Sequence, residues 1–234
     1  MKAETKQLIK GVTDMKKLLV LALVAMLAGP ANAFWANLHS SNVGINTTNW
    51  AWSWSGTTIR IWETFDVVGL GTWEIHDLES GLDYTVTKYV TNNTGVDWVR
   101  FANELLDPAG DQNDLDYDIP TESWVPAGFS HSNENDGLSF AQGSGIPRTS
   151  TSFGSLVVDE LAGKDFIDFY DGIVLAGSED TVSFGLRDNA FNQPFLLAER
   201  PNEFTETPIP EPTTMVLFGL GLAGVALRRR FSSK

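Results

Sequence analysis

The 234-residue chain contains no cysteine and only three histidines, His39, His76 and His131. The missing cysteine excludes disulfide staples, thiol nucleophiles and thiolate metal sites, and leaves burial, with or without bound ions, to hold the fold. The three histidines stand in unrelated contexts, so each reads as a surface or packed residue rather than a base or ligand. There is no G-x-S-x-G elbow, no H-E-x-x-H helix and no phosphate-cradling glycine loop. Paired carboxylates could build a glycosidase, but acids are so numerous that no single pair stands out. The expectation is a protein that is not an enzyme.

Basic residues are scarce where they matter. The chain has 16 Lys and Arg against 30 Asp and Glu. Nine of the basic and three of the acidic residues fall in 1–33 and 211–234, which leaves 7 basic and 27 acidic side chains and a formal charge of −20 over residues 34–210. Such a surface repels nucleic-acid phosphates and anionic membranes, which excludes nucleic acid as a partner. It favours cations and resists colloidal aggregation.

Long apolar runs are also few, and the clearest sit near the two termini. Lys16-Lys17 form a basic n-region, Leu18 to Ala28 an apolar stretch, and Gly29-Pro30 a break before Ala31-Asn32-Ala33. That order is a secretory signal with an A-x-A cleavage site at Ala31 and Ala33. Residues 1–14 precede Met15, the natural start of such a signal. The expected mature N-terminus is Phe34.

At the other end, Pro210-Glu211-Pro212 precedes an apolar run from Met215 to Leu227 and then Arg228-Arg229-Arg230. The run lacks a polar face, so it reads as membrane-seeking rather than as a helix docked on the domain. It is shorter than the roughly 20 apolar residues of a comfortable span; Thr213 and Thr214 extend it, and the arginines can snorkel. The arginine cluster should stay cytoplasmic and act as the membrane stop. That orientation places everything before Pro210 outside.

The ordered triplet of Pro-Glu-Pro, short glycine-containing span and terminal arginine cluster, over residues 208–231, resembles the PEP-CTERM sorting signal of exported bacterial proteins, also described as an ice-binding-protein C-terminal domain. The resemblance implies recognition near Pro210, Glu211 and Pro212 by exosortase, a membrane-embedded transpeptidase-like enzyme. It implies transient inner-membrane anchoring, then transfer to the cell surface or extracellular matrix. Signal peptidase is the other processing partner, and exopolysaccharide is a candidate ligand.

Between the signals the pattern is β. Trp73 and Ile75 alternate with Thr72, Glu74 and His76. Val182, Phe184 and Leu186 alternate with Thr181, Ser183, Gly185 and Arg187, and Tyr84, Val86 and Val90 share one face of Asp83 to Thr91. Asn92-Asn93-Thr94-Gly95 supplies turn chemistry before Val96 to Leu106, which predicts a hairpin. Tyr84 to Phe101 also resembles, loosely, a strand-turn-strand pattern of PEP-CTERM ectodomains. Further strands are expected at Thr58 to Phe65, Gly154 to Leu161, Phe166 to Tyr170, Ile173 to Leu175 and Phe195 to Glu199. The expected fold is all-β: one antiparallel sandwich, immunoglobulin-like or jelly-roll-like, over residues 34–200. A long loop, 107–150, interrupts it, with room for a short strand around Trp124 or Phe140. Residues 201–212 read as a proline-rich linker, and 213–234 as a single transmembrane sorting segment.

Two further clusters invite chemistry. Asp111, Asn113, Asp114, Asp116 and Asp118 form an oxygen-rich stretch of the kind Ca²⁺ takes. The spacing misses an EF-hand, and alternating Asp114, Asp116 and Asp118 reads equally as one solvated strand face. Trp50, Trp52 and Trp54 put three indoles on one strand face, either as a sugar-stacking platform or, the favoured reading, as core. The functional expectation is an exported structural or adhesive surface protein. The alternative is a carbohydrate-binding module or hydrolase with the same tail.

Overall fold

The structure, a computed structural model, describes residues 34–109, 122–133, 136–159, 164–189 and 194–203. Among these residues every regular element is a strand, and no helix is long and apolar enough to cross a membrane. The signal segment and the apolar tail, with their expected helices, lie outside the described residues, as does most of the linker.

Two sheets pack face to face. The first has the strand order β1 (Trp35–Leu38), β4 (Gly71–His76), β13 (Phe195–Pro201), β6 (Phe101–Pro108), β11 (Phe166–Gly172) and β10 (Phe153–Asp159), with β7 (Phe129–His131) added against β6. The second runs β2 (Ile45–Ser55), β3 (Thr58–Phe65), β5 (Tyr84–Asn92), β12 (Glu179–Asp188) and β8 (Leu138–Ser139), with β9 (Thr149–Ser150) also on β12. The main core fills the gap between them. Ile59, Ile61 and Phe65, Val86 and Val90, and Val182, Phe184 and Leu186 face inward from the second sheet; Trp73 and Ile75, Phe101 and Leu105, Phe169 and Leu197 face them from the first. Gly71 lets the layers close: a Cβ there would sit 2.7 Å from the Phe65 ring and 2.9 Å from Ile45 Cδ1.

The sandwich is not wholly antiparallel. β3 and β5 pair in parallel, in register from Thr58 against Thr85 to Phe65 against Asn92. Parallel neighbours need a crossover, and here the chain supplies one by leaving β3, adding β4 to the opposite sheet and returning as β5.

The hairpin expected at Asn92 to Gly95 does not form, because β5 and β6 belong to different sheets. The turn residues are used to change layers. Asn92 Nδ2 donates to the carbonyls of Val96 (2.8 Å) and Val174 (3.0 Å), while its Oδ1 accepts from Thr94 N (3.1 Å) and Thr94 Oγ1 (2.7 Å). Trp98 and Val174 then exchange backbone bonds as an isolated bridge, so Ile173 to Leu175 is a bridge rather than the expected strand. Asn92 is buried and satisfies four groups at once. Asn92→Ala is expected to lower the unfolding free energy by about 2–3 kcal/mol, since it strands the buried Val174 carbonyl and removes the part-buried bonds to Val96 and Thr94; urea titration checks this.

The region read as a long loop does structural work. Residues 122–131 cover the outer face of the first sheet, where Val125 with Leu106, Leu196 and Ala198 makes a second small core, flanked by Trp124, Phe129 and Leu70. This cover is why β6 and β13 are buried along nearly their whole length instead of alternating.

Candidate functional site

The outer face of the second sheet remains open to water. Thr85, Thr87, Tyr89 and Thr91 point outward from β5 and are half-buried, in alternation with the inward row. Arg60 and Trp62 are the exposed positions of β3. The parallel register sets Trp62 beside Tyr89, and the two rings stack, centroids 5.3 Å apart and planes within 10°. On the other flank the β2–β3 register sets Ala51 beside Trp62. Tyr89 thus covers one face of the indole while a methyl group stands by the other. A groove of about 260 Å³ opens there, lined among others by Asn49, Ala51, Trp62, Thr64, Thr91 and Glu179. Asn49 Nδ2 donates to Thr64 Oγ1 at 2.8 Å along its wall.

Charge has been drawn inside the molecule, and two buried clusters among the described residues pair opposite signs. In the main core, Lys88 of β5 lies between Glu63 of β3 and Glu199 of β13, all fully buried. Lys88 Nζ is 2.8 Å from Glu63 Oε1 and also contacts Glu199 Oε1. Trp73 Nε1 donates to the other Glu63 oxygen at 2.6 Å, and the ammonium stands 5.8 Å from the Phe101 ring centre. Burial pulls the Lys88 pKa below its ordinary value, and Glu63 acts against that pull. Under the cover segment, Glu104 accepts from Arg200 Nη2 (2.8 Å) and His131 Nδ1 (2.5 Å), and the guanidinium lies 3.8 Å over Trp124. At the margin of that cluster, burial tends to raise the Glu122 carboxyl. Hydrogen bonds from Lys164 and Trp124 outweigh this and hold its pKa below the ordinary range.

The other two histidines are placed by packing. His39 shares a hydrogen bond with Ser41 Oγ at 2.8 Å, and His76 stacks on Trp35 at 3.4 Å, near Glu74. Of the tryptophan row, Trp50 meets Trp73 edge-on at 5.4 Å and Trp52 meets Phe34 at 5.1 Å, both half-buried against the core. Trp54 is exposed over Phe34. The row faces the core side, but β2 is an edge strand, so it runs out past the core's rim.

Trp62, Tyr89 and Lys88 were not singled out by the sequence, yet each carries a signal. Trp62 occupies the wet position between Ile61 and Glu63, and Lys88 sits in the apolar register of Tyr84, Val86 and Val90. The expected cleavage residues Ala31 and Ala33 lie outside the described residues, as do Pro210, Glu211 and Pro212, Arg228 to Arg230, and the calcium candidates Asp111, Asn113, Asp114, Asp116 and Asp118. Among the described residues no group of three or more His, Cys, Asp or Glu is arranged to hold a metal ion.

Among protein families, the PEP-CTERM protein-sorting motif matches residues 208–230. The tail is a PEP-CTERM sorting signal. Neither a curated protein nor a solved structure matches the chain. The PEP-CTERM signal implies an exported protein, processed by exosortase and sorted to the cell surface. The match covers the tail alone, so it assigns a route and leaves the two-sheet body to be read from its own geometry.

Proposed function

We propose that this is a structural and adhesive protein of the bacterial cell surface or extracellular matrix, and that it performs no catalysis. The observation that carries the reading is the pairing of a PEP-CTERM signal at 208–230 with a two-sheet body that keeps one broad, hydroxyl-rich face open. Two of the body's buried clusters pair their charges inside the fold, Lys88 with Glu63 and Glu199 and Glu104 with Arg200, where they serve packing. A rigid sheet presents its side chains at fixed spacing, and weak contacts repeated over many surface copies add up to firm attachment. The reading has the tail hold the chain in the inner membrane until exosortase acts near Pro210, Glu211 and Pro212, after which the body enters the surface layer.

Attachment is the direct test. Cells carrying the chain should withstand washing from their own matrix several-fold better than cells lacking it, with the protein recovered in the matrix fraction. Equal retention of both strains would overturn the adhesive role.

A further inference from the structure

Trp62 is the largest side chain type a protein can carry, and 39% of it is left in water in the middle of a sheet face. β3 is flanked on both sides, by β2 and β5, so the exposure is not an edge effect. Nor is the ring loose, because Tyr89 is stacked on it. A fixed indole with one face covered and the other beside Ala51 is a prepared apolar surface about one ring wide.

The groove around it is polar. Asn49 and Thr64 form one wall, already joined by a hydrogen bond, and Thr91 and Glu179 add a hydroxyl and a carboxylate. A ligand that fits must present a flat apolar face and a rim of hydroxyls. A pyranose ring does both: its C–H face packs on an indole and its equatorial hydroxyls bond to amide, hydroxyl and carboxylate groups. Flatness selects rings without axial hydroxyls, as in β-linked glucans. Charge selects further, since a formal −20 over residues 34–210 repels uronic-acid and phosphate-bearing polymers.

We propose that the groove between β2 and β5, floored by Ala51 and walled by Trp62, Asn49 and Thr64, is a binding site for a neutral β-linked polysaccharide. The inference rests on the adhesive reading and names its ligand class. The groove is small and open, so it grips one stretch of a polymer, and retention comes from many copies engaging one chain.

The test uses the full chain held in detergent, electrophoresed through native gels containing hydroxyethyl cellulose as the neutral probe or alginate as the anionic one. Hydroxyethyl cellulose should retard the protein and alginate should not. Trp62→Ala should weaken retardation about tenfold or more, the loss of one stacking anchor being about 1.4 kcal/mol or greater. Trp62→Phe should keep part of it. Ala51→Leu should block the groove with the indole intact and melt with the wild type, because Ala51 is exposed, while Trp62→Ala, which loses the Tyr89 stack, should melt somewhat lower but remain cooperatively folded. No retardation by hydroxyethyl cellulose, retardation unchanged by Trp62→Ala, or retardation by alginate as strong as by hydroxyethyl cellulose would overturn the proposal. Those failures would leave the washing assay untouched; loss of attachment with glycan binding intact would instead overturn the adhesive role.

Discussion

Replacing Lys88 with methionine is expected to lower the unfolding free energy by about 3–5 kcal/mol. The reason is what remains behind. Glu63 and Glu199 are both fully buried, and Lys88 is the cation between them. Without it, two carboxylates from opposing sheets face each other in a dry core, and charge there must be neutralised or the layers must part. Replacing all three members together, Lys88→Met with Glu63→Leu and Glu199→Leu, should recover most of the lost stability, since well-packed apolar side chains often match a buried ion cluster. Trp73 Nε1 then loses its acceptor, which sets a cost of about 1–3 kcal/mol on the rescue. Chemical denaturation of the wild type and the two variants checks the series. A lone Lys88→Met that unfolds with the wild type would show that the ion cluster contributes nothing to holding the sheets together.

The second large effect is on processing rather than folding. Changing Pro210, Glu211 and Pro212 together to alanine is expected to trap a membrane-bound precursor as the main cellular form. These residues lie within the matched sorting motif at 208–230, beyond the last described strand, β13, which ends at Pro201. The change is expected to remove exosortase recognition without touching either sheet, and the trapped precursor should retain the wild-type melting temperature. Replacing Arg228 to Arg230 with neutral residues should act differently, weakening the halt in translocation and releasing unprocessed chain. Fractionation followed by blotting separates the outcomes. A triple alanine variant that reaches the surface at the wild-type rate would mean that the tripeptide is not the processing determinant.

How legible the fold was depends on which faces of a strand are wet. β3, β4 and β12 alternate over part of their length, because one face meets the core and the other meets water or a partial cover, and their bounds follow from Ile59 and Ile61, Trp73 and Ile75, and Val182 to Leu186. β6 and β13 carry Glu104 and Arg200 at positions that alternation assigns to solvent. Both residues are buried, because the segment 122–131, remote from each of them in sequence, folds over them, which no local period reports. The turn chemistry at Asn92 to Gly95 was real but ambiguous: an Asx turn can close a hairpin or turn a corner, and the choice was made by Val174, far along the chain. β1 gave too short a pattern to read, and in β2 only the tryptophan row stood out. The groove was half-visible. Trp62 and Tyr89 each occupy an outward position, but their contact depends on the parallel register that the crossover through β4 creates. The sorting tail, by contrast, is read in sequence by its own enzyme, so its motif was visible without any fold.

The two ends of this chain are expected to be temporary, with the two-sheet body the part that the cell deploys. The intact mass of the protein recovered from the cell surface or matrix tests it most directly. The predicted species begins at Phe34 and ends near Pro210-Glu211-Pro212, without the apolar run and without Arg228 to Lys234. A surface species whose mass still includes Arg228 to Lys234 would contradict tail removal and make this a permanently anchored membrane protein.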